Sequence, residues 1–431
     1  MIARKPGGLR CAIKVVCVAG AALAFSQQLC AQVLETIPGP LLETRPENGT
    51  PIAASVQTNS IFSQPRGLTV STSVVGGYND NVNASTGAST SSTGGSGSLY
   101  TSDNASLSYT FGTPRTHVSL TTGGGVTYYF DQPEAGYNPT GYLGLSLTHK
   151  PSERMTLSLS VFASYQSQPD FSTNLGSNQG LGSSIRSSDT VSLAYSWTPR
   201  FSTVTSYTLD LLNYFSSAGS LLNRTEDTFG EQFRYLLWPT TAGVAEYRYE
   251  IIDYESAPVD STTHFLLAGL DHTFTPRLNG TFRGGVELRS SESSGFQASP
   301  YFQSALTYIL HNGFVIWTNS YSIEESNTVG VSSASAFRTG LTLNYGLTRR
   351  LSGNLALFYV YGGNQSGGTS SSSGNNQSGG TSSSSENTID ISPSLRYLIT
   401  RRLSANVGYH YTSVSGSSPQ NNYFAGLSFS F

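Results

Sequence analysis

The residues best placed to do chemistry are charged side chains in the middle of polar, alternating segments. Glu246, Arg248 and Glu250 stand at spacing two, and Asp210, Arg234, Arg283, Glu287, Arg289, Arg338, Asp390 and Arg396 occupy comparable mid-segment positions. In an extended chain, residues two apart point the same way, so Glu246, Arg248 and Glu250 share a face. Such a row has two uses. It can pair with itself and stiffen a wall, or it can present fixed charge that sorts what passes. Catalysis has little support. The six histidines (117, 149, 264, 272, 311 and 410) are scattered and stand at no recognised spacing from a serine or carboxylate, although His117 and His410 fall on the same face as the charges. Gly123-Gly124-Gly125 lacks the context of a phosphate-binding loop. The acids Glu226-Asp227 and Glu324-Glu325 could hold Ca²⁺ or bridge to lipopolysaccharide, but adjacent acids in a solvated loop explain them more simply. No enzymatic activity, cofactor or metal is expected.

The composition says what kind of element must position these charges. Of 431 residues, 69 are Ser and 45 Thr, Gly adds 45, and Lys occurs three times. Charged residues make up 11%, against roughly 25% in an ordinary soluble domain. Disorder calls for high net charge and low hydrophobicity, and nucleic-acid binding calls for a basic patch; neither fits. Beyond Phe25 no apolar run approaches the ~20 residues of a membrane helix. Hydroxyl, glycine and tyrosine richness instead suits β-structure.

Residues 1–31 have the plan of a secretory signal: Arg4, Lys5, Arg10 and Lys14, then an apolar stretch from Val15 to Phe25. Cleavage is expected before Gln27 or Gln32. All three cysteines (11, 17 and 30) lie in this leader. Without it, 19 basic residues face 26 acidic ones, a net charge of −7. Residues 32–66 contain five prolines and no sustained period, as expected of a flexible periplasmic extension.

From Leu68 onward, period two takes over. Met155, Leu157, Leu159, Val161, Ala163 and Tyr165 alternate with Thr156, Ser158, Ser160, Phe162 and Ser164. Eight breaks between such runs are tight and often basic: 112–115, 150–154, 198–200, 238–240, 275–277, 311–313, 347–350 and 400–402. Nine are longer and polar, around 82–98, 131–139, 167–184, 216–224, 253–261, 290–299, 324–333, 362–387 and 413–421. The two kinds alternate strictly, giving eighteen strands, with 16 or 20 as neighbouring counts. The segments TPRFSTVTSYTL, TPRLNGTFRGGV, TRRLSGNLALFY and TRRLSANVGYHY repeat one another, as an iterated hairpin does. Even strand number, short turns on one side and long loops on the other describe an all-β, single antiparallel up-and-down transmembrane barrel over 67–431. Aromatics near the tight turns (Phe111, Trp197, Trp238, Phe274, Tyr345, Tyr397, Phe431) and near the long loops (Tyr78, Phe130, Tyr165, Tyr254, Tyr411) would form two interfacial girdles. Closure requires strand 1 (Leu68–Asp80) to pair with the last strand (Asn422–Phe431), since no backbone edge can face lipid.

The apolar face then meets lipid and the other lines the lumen. An arginine at the midplane of the lipid face costs about 2–4 kcal/mol, which sends the eleven mid-segment charges inward. The first five strands present Thr69, Ser71, Ser73, Ser106, Ser108, Ser119, Thr121, Gly123, Gly125, Ser146, Thr156, Ser158 and Ser160 inward, with no charge among them. Low-complexity tracts at 83–98 and at 364–373, the latter duplicated at 376–385, read as solvated loop insertions. Nine cations (Arg115, Lys150, Arg154, Arg200, Arg277, Arg349, Arg350, Arg401 and Arg402) sit at tight turns, on the expected periplasmic rim.

The ending Gly426-Leu427-Ser428-Phe429-Ser430-Phe431 resembles the carboxy-terminal signal read by the barrel-assembly machinery, carried here by Gly426, Phe429 and Phe431. Two residues before the glycine, where that pattern has a polar side chain, stands Phe424. The opening strand Val75-Gly76-Gly77-Tyr78-Asn79-Asp80-Asn81-Val82 and the late hairpin around Ile391–Tyr397 and Thr400–Ser404 resemble the β-barrel porin family associated with exopolysaccharide gene clusters in Gram-negative bacteria. That resemblance implies a cell outer-membrane location, contact with outer-membrane lipid and lipopolysaccharide, and a link to polysaccharide export components. The expected function is a porin-like channel for exopolysaccharide export or saccharide passage. The alternative is a non-conducting surface, adhesion or assembly protein that uses the barrel as an anchor. No nucleic-acid partner is expected.

Overall fold

The computed structural model describes residues 67–82, 97–131, 137–166, 183–215, 222–256, 260–291, 295–325, 331–367, 386–414 and 419–431. The leader 1–31, the extension 32–66 and most of both low-complexity tracts lie outside the described residues. Period-two patterning yields eighteen strands. They are β1 Gly67–Asn79, β2 Ser98–Gly112, β3 Thr116–Tyr129, β4 Tyr137–Ser152, β5 Met155–Gln166, β6 Ser184–Ser196, β7 Phe201–Tyr214, β8 Arg224–Trp238 and β9 Thr241–Tyr254. There follow β10 Ser261–Thr275, β11 Leu278–Ser291, β12 Gly295–Leu310, β13 Gly313–Glu325, β14 Val331–Gly346, β15 Leu351–Gly367, β16 Glu386–Leu398, β17 Leu403–Val414 and β18 Gln420–Ser430.

Each strand pairs antiparallel with its sequence neighbours, and β18 returns to β1, so the sheet closes. The closing register runs from Ser71↔Ser430 to Asn79↔Asn422. It is tied at one end by reciprocal backbone bonds between Val70 and Phe431 (2.9 and 3.0 Å). At the other end, Asn421 donates its backbone N–H and its side-chain amide to the two oxygens of Asp80 (2.7 and 2.6 Å).

The tight turns share a device that follows from their threonines. Thr198, Thr348 and Thr400 each accept, on Oγ1, the backbone N–H groups two and three residues on, at 3.0–3.3 Å. A hydroxyl bonding its own local backbone mimics a turn, which is why the TPR and TRR segments recur. Thr400→Val, which keeps shape and removes the acceptor, is expected to lower barrel stability by about 1 kcal/mol. The check is the shift in the urea unfolding midpoint in lipid vesicles, with Ser428→Ala as an unrelated control.

The faces sort as the alternation requires. Phe282, Phe233, Leu270, Val407 and Leu427 are 47–53% exposed on the outer face, while the alternate residues are buried within. Two sequence expectations need correction. Several strands run further outward than hydropathy suggests: β11 reaches Ser291 and β12 starts at Gly295, β13 reaches Glu325, and β8 starts at Arg224. Glu226-Asp227 and Glu324-Glu325 are therefore strand residues rather than loop acids. Past the lipid belt both faces can be polar, so the ladder continues where the periodic signal fades. Tyr254 is the second correction. It shares the inward face of β9 with Ile252 and is 9% exposed, with the Arg224 guanidinium over its ring, so it is not part of the outer girdle.

Candidate functional site: the inner wall

Cross-strand register assembles the inner charges into networks. Glu246 (β9) lies beside Arg248, with which it shares a bond from the guanidinium Nε, and its second oxygen is 3.6 Å from Arg283 Nε on β11. Arg283 donates to Asp271 on β10 at 2.7 Å, and Asp271 also accepts from Arg234 on β8. Three arginines and two carboxylates thus form one connected network with a net charge of +1. Gly269 leaves the room for it, since a Cβ there would lie 2.0 Å from the Phe282 carbonyl and 2.8 Å from Arg283 Cδ. Arg248 is anchored from a second side, donating to Tyr301 Oη (3.1 Å) and Gln303 Oε1 (3.5 Å).

The remaining sequence-predicted charges share the inward face at other positions along it. Glu250, Glu287 and Arg289 lie nearer the outer end of their strands and are 7, 1 and 1% exposed. Asp210 stands opposite Glu226. Arg338 lies over the Phe358 ring at 5.9 Å. Asp390 accepts from His410 Nε2 at 2.6 Å and from Thr412 Oγ1 at 3.0 Å, so His410 is a partnered residue rather than a lone histidine. Arg396 is exposed near the tight turn and donates to Ser404 Oγ at 3.1 Å.

Sequence reasoning missed Asp271, Tyr301 and Gln303, as well as the inward pair Arg224–Glu226 (2.7 Å). Only continued parity along β10 would have found Asp271, and there the signal is blurred because Phe265 and Leu267 also point inward. Nor do all strand charges point inward. Register puts Asp103, Asp189, Asp227 and Glu231 on the outer face, in the outer or middle part of their strands. Hydroxyls answer three of them: Thr205 donates to Glu231 (2.6 Å), Tyr207 to Asp227 (2.5 Å) and Ser187 to Asp189 (3.3 Å).

Across the barrel, the wall of β1–β5 is hydroxyl, glycine and aromatic. Phe424, the departure from the terminal pattern, turns inward and packs with Val75, Tyr100 and Tyr129. Its ring lies where a Cβ on Gly408 would come within 2.3 Å. Phe429 and Phe431 are 39 and 58% exposed. Among the described residues, no group of three or more His, Cys, Asp or Glu side chains is placed to hold a metal ion.

A closed barrel of eighteen strands, with an apolar belt outside and paired charges inside, is an outer-membrane β-barrel of the porin type. The chain belongs to the family described as "Putative beta-barrel porin 2", whose model matches residues 207–427. None of the curated proteins matches it. Solved structures that resemble it include OccAB4 of Acinetobacter baumannii, at 10% identity over 85% of this chain and 99% of that one, with a TM-score of 0.41. The outer membrane protein OpdK of Pseudomonas aeruginosa shares 10% identity over 84 and 98% (TM-score 0.42). The siderophore receptor PirA of the same organism shares 11% over 86 and 81% (TM-score 0.41).

Proposed function

We propose that the barrel is a passive channel for saccharides and that its cargo is an exported exopolysaccharide. One observation carries this reading: the inner wall is two-sided. Strands β1–β5 offer neutral hydroxyl rows, and across the lumen the Arg234–Asp271–Arg283–Glu246–Arg248 network leaves one positive charge in excess. Hydroxyl rows exchange hydrogen bonds with a sugar as readily as water does, and an excess cation favours neutral or acidic sugars over small cations. The ending Gly426–Phe431 supports delivery by the barrel-assembly machinery, and the turn arginines support contact with phospholipid headgroups on the periplasmic side.

Planar-bilayer recording of the purified protein tests the channel. The expected result is discrete conductance with a weak anion preference in a KCl gradient, moving toward cation preference in the combined variant Arg248→Ala, Arg283→Ala. Absence of conductance, or a reversal potential indifferent to both substitutions, would overturn the reading.

A further inference from the structure

Four strand prolines mark gaps in the ladders, and one gap goes through the wall. Pro151 stands at the His149/Ser152 shift beside the β4–β5 turn. Pro139, at the end of the β4–β5 ladder, and Pro393, inside the β16–β17 ladder, interrupt little: pairing starts at Thr140, and it resumes at Ser394↔Gly408. Pro300 is different. The β12–β13 ladder ends at Phe302↔Tyr321, although β12 continues in register with β11 to Gly295 and β13 with β14 to Glu325. The next hydrogen-bonded pair would be Pro300 with Ile323, but Pro300 has no N–H to give to the Ile323 carbonyl, and its own carbonyl accepts from Ser299 Oγ at 3.2 Å. Instead, the Ile323 N–H donates to the Glu287 carboxylate at 2.9 Å. Glu287 belongs to the inner face of β11, two strands away, so its carboxylate takes the place of β12 as the acceptor for the β13 backbone here. Ile323 has outward parity yet is 9% exposed, where Phe282 and Tyr361 are 47 and 45%.

Behind this seam the inner wall carries an apolar cluster beside Glu287, which stands opposite Phe265. Phe265 and Leu267 of β10 form a buried cluster with Tyr301 of β12, the two rings 5.4 Å apart and edge to face. Arg248 stands 5.6 Å over the Tyr301 ring, and its side chain, 21% exposed, is more open than those of Arg224, Arg234 and Arg283 (9, 8 and 11%). An apolar strip ending at a cation fits an alkyl chain with an anionic head.

We propose that the outer half of the β12–β13 seam is a lateral portal, through which a single-chain anionic amphiphile passes between the outer leaflet and the inner wall. The chain lies along Phe265, Leu267, Tyr301 and Ile323, and the head rests at Arg248. An unzipped seam that faced lipid would be costly; the Glu287–Ile323 bond holds it shut between passages. This inference does not depend on the saccharide reading, because the route is through the wall and its test uses no sugar.

The test places a bimane on Ser322→Cys in the full chain in phosphatidylcholine vesicles, with the unsubstituted protein as the labelling background. The quencher is a fatty acid, stearate carrying a nitroxide on its chain, compared with nitroxide-labelled phosphatidylcholine. Stearate is expected to quench several-fold more strongly at this seam label than at a reference label on Thr190→Cys of β6, whose ladders are complete on both sides. Adding Pro300→Val restores the missing N–H and is expected to bring quenching at the seam down to the reference level. Arg248→Gln is expected to remove the preference for stearate over phosphatidylcholine. Equal quenching of the seam and reference labels, or quenching indifferent to Pro300→Val, overturns the portal.

Discussion

Phe282→Arg is expected to destabilise the folded barrel by about 2–4 kcal/mol, the cost of a cation near the middle of the lipid face. Phe282 sits four residues above the start of β11, is 47% exposed and packs ring to ring with Phe302 at 5.3 Å. The substitution loses that contact and puts a guanidinium into hydrocarbon. The next residue already is an arginine. Arg283 is at home because it points the other way, onto Asp271. The measurement is equilibrium urea unfolding in vesicles, with Thr208→Arg, on the inner face of β7, as the matched control expected to cost far less. If the two substitutions cost the same, the sidedness assigned to the strands is wrong.

Glu246→Ala is the second large effect. Glu246 is 3% exposed at its side chain and is the carboxylate between Arg248 and Arg283. Removing it leaves two largely buried guanidiniums short of a counter-charge, and breaking such a pair costs about 3–5 kcal/mol. The lower end is expected, because Arg248 keeps Tyr301 and Gln303, and Arg283 keeps Asp271. Glu246→Gln keeps a hydrogen-bond acceptor and should lose less. Both substitutions also raise the net charge of the network by one. Reversal potentials in a salt gradient should therefore move toward stronger anion preference even where the stabilities of the two variants differ. A destabilised Glu246→Ala barrel with unchanged selectivity would make the network structural only.

Much of the architecture was legible because its signals are local. A strand's sidedness has a period of two residues, a tight turn announces itself with Thr-Pro-Arg or Thr-Arg-Arg, and neither depends on distant chain. The strand number, the alternation of short and long connections and the closing pair follow from these. The signal weakened where a strand leaves hydrocarbon, as at Glu324-Glu325, and where both faces carry similar residues, as in β10. It was misleading on the outer face: cost in lipid predicts inward charges, but Asp227 and Glu231 stay outside with Tyr207 and Thr205 donating to them.

By itself the sequence determined that this is an eighteen-stranded barrel with a polar interior, because hydropathy alternation and turn chemistry act between neighbours in the chain. Only the tertiary structure decided which charges meet. Asp271 joins Arg234 and Arg283 across intervals of 37 and 12 residues, and His410 finds Asp390 across 20. Those meetings are set by the register of adjacent strands, and a shift of one residue would turn each side chain to the opposite face. The unzipped seam at Pro300 belongs to the same class: a proline is visible in the sequence, but which neighbour it leaves without a partner is a property of the closed sheet.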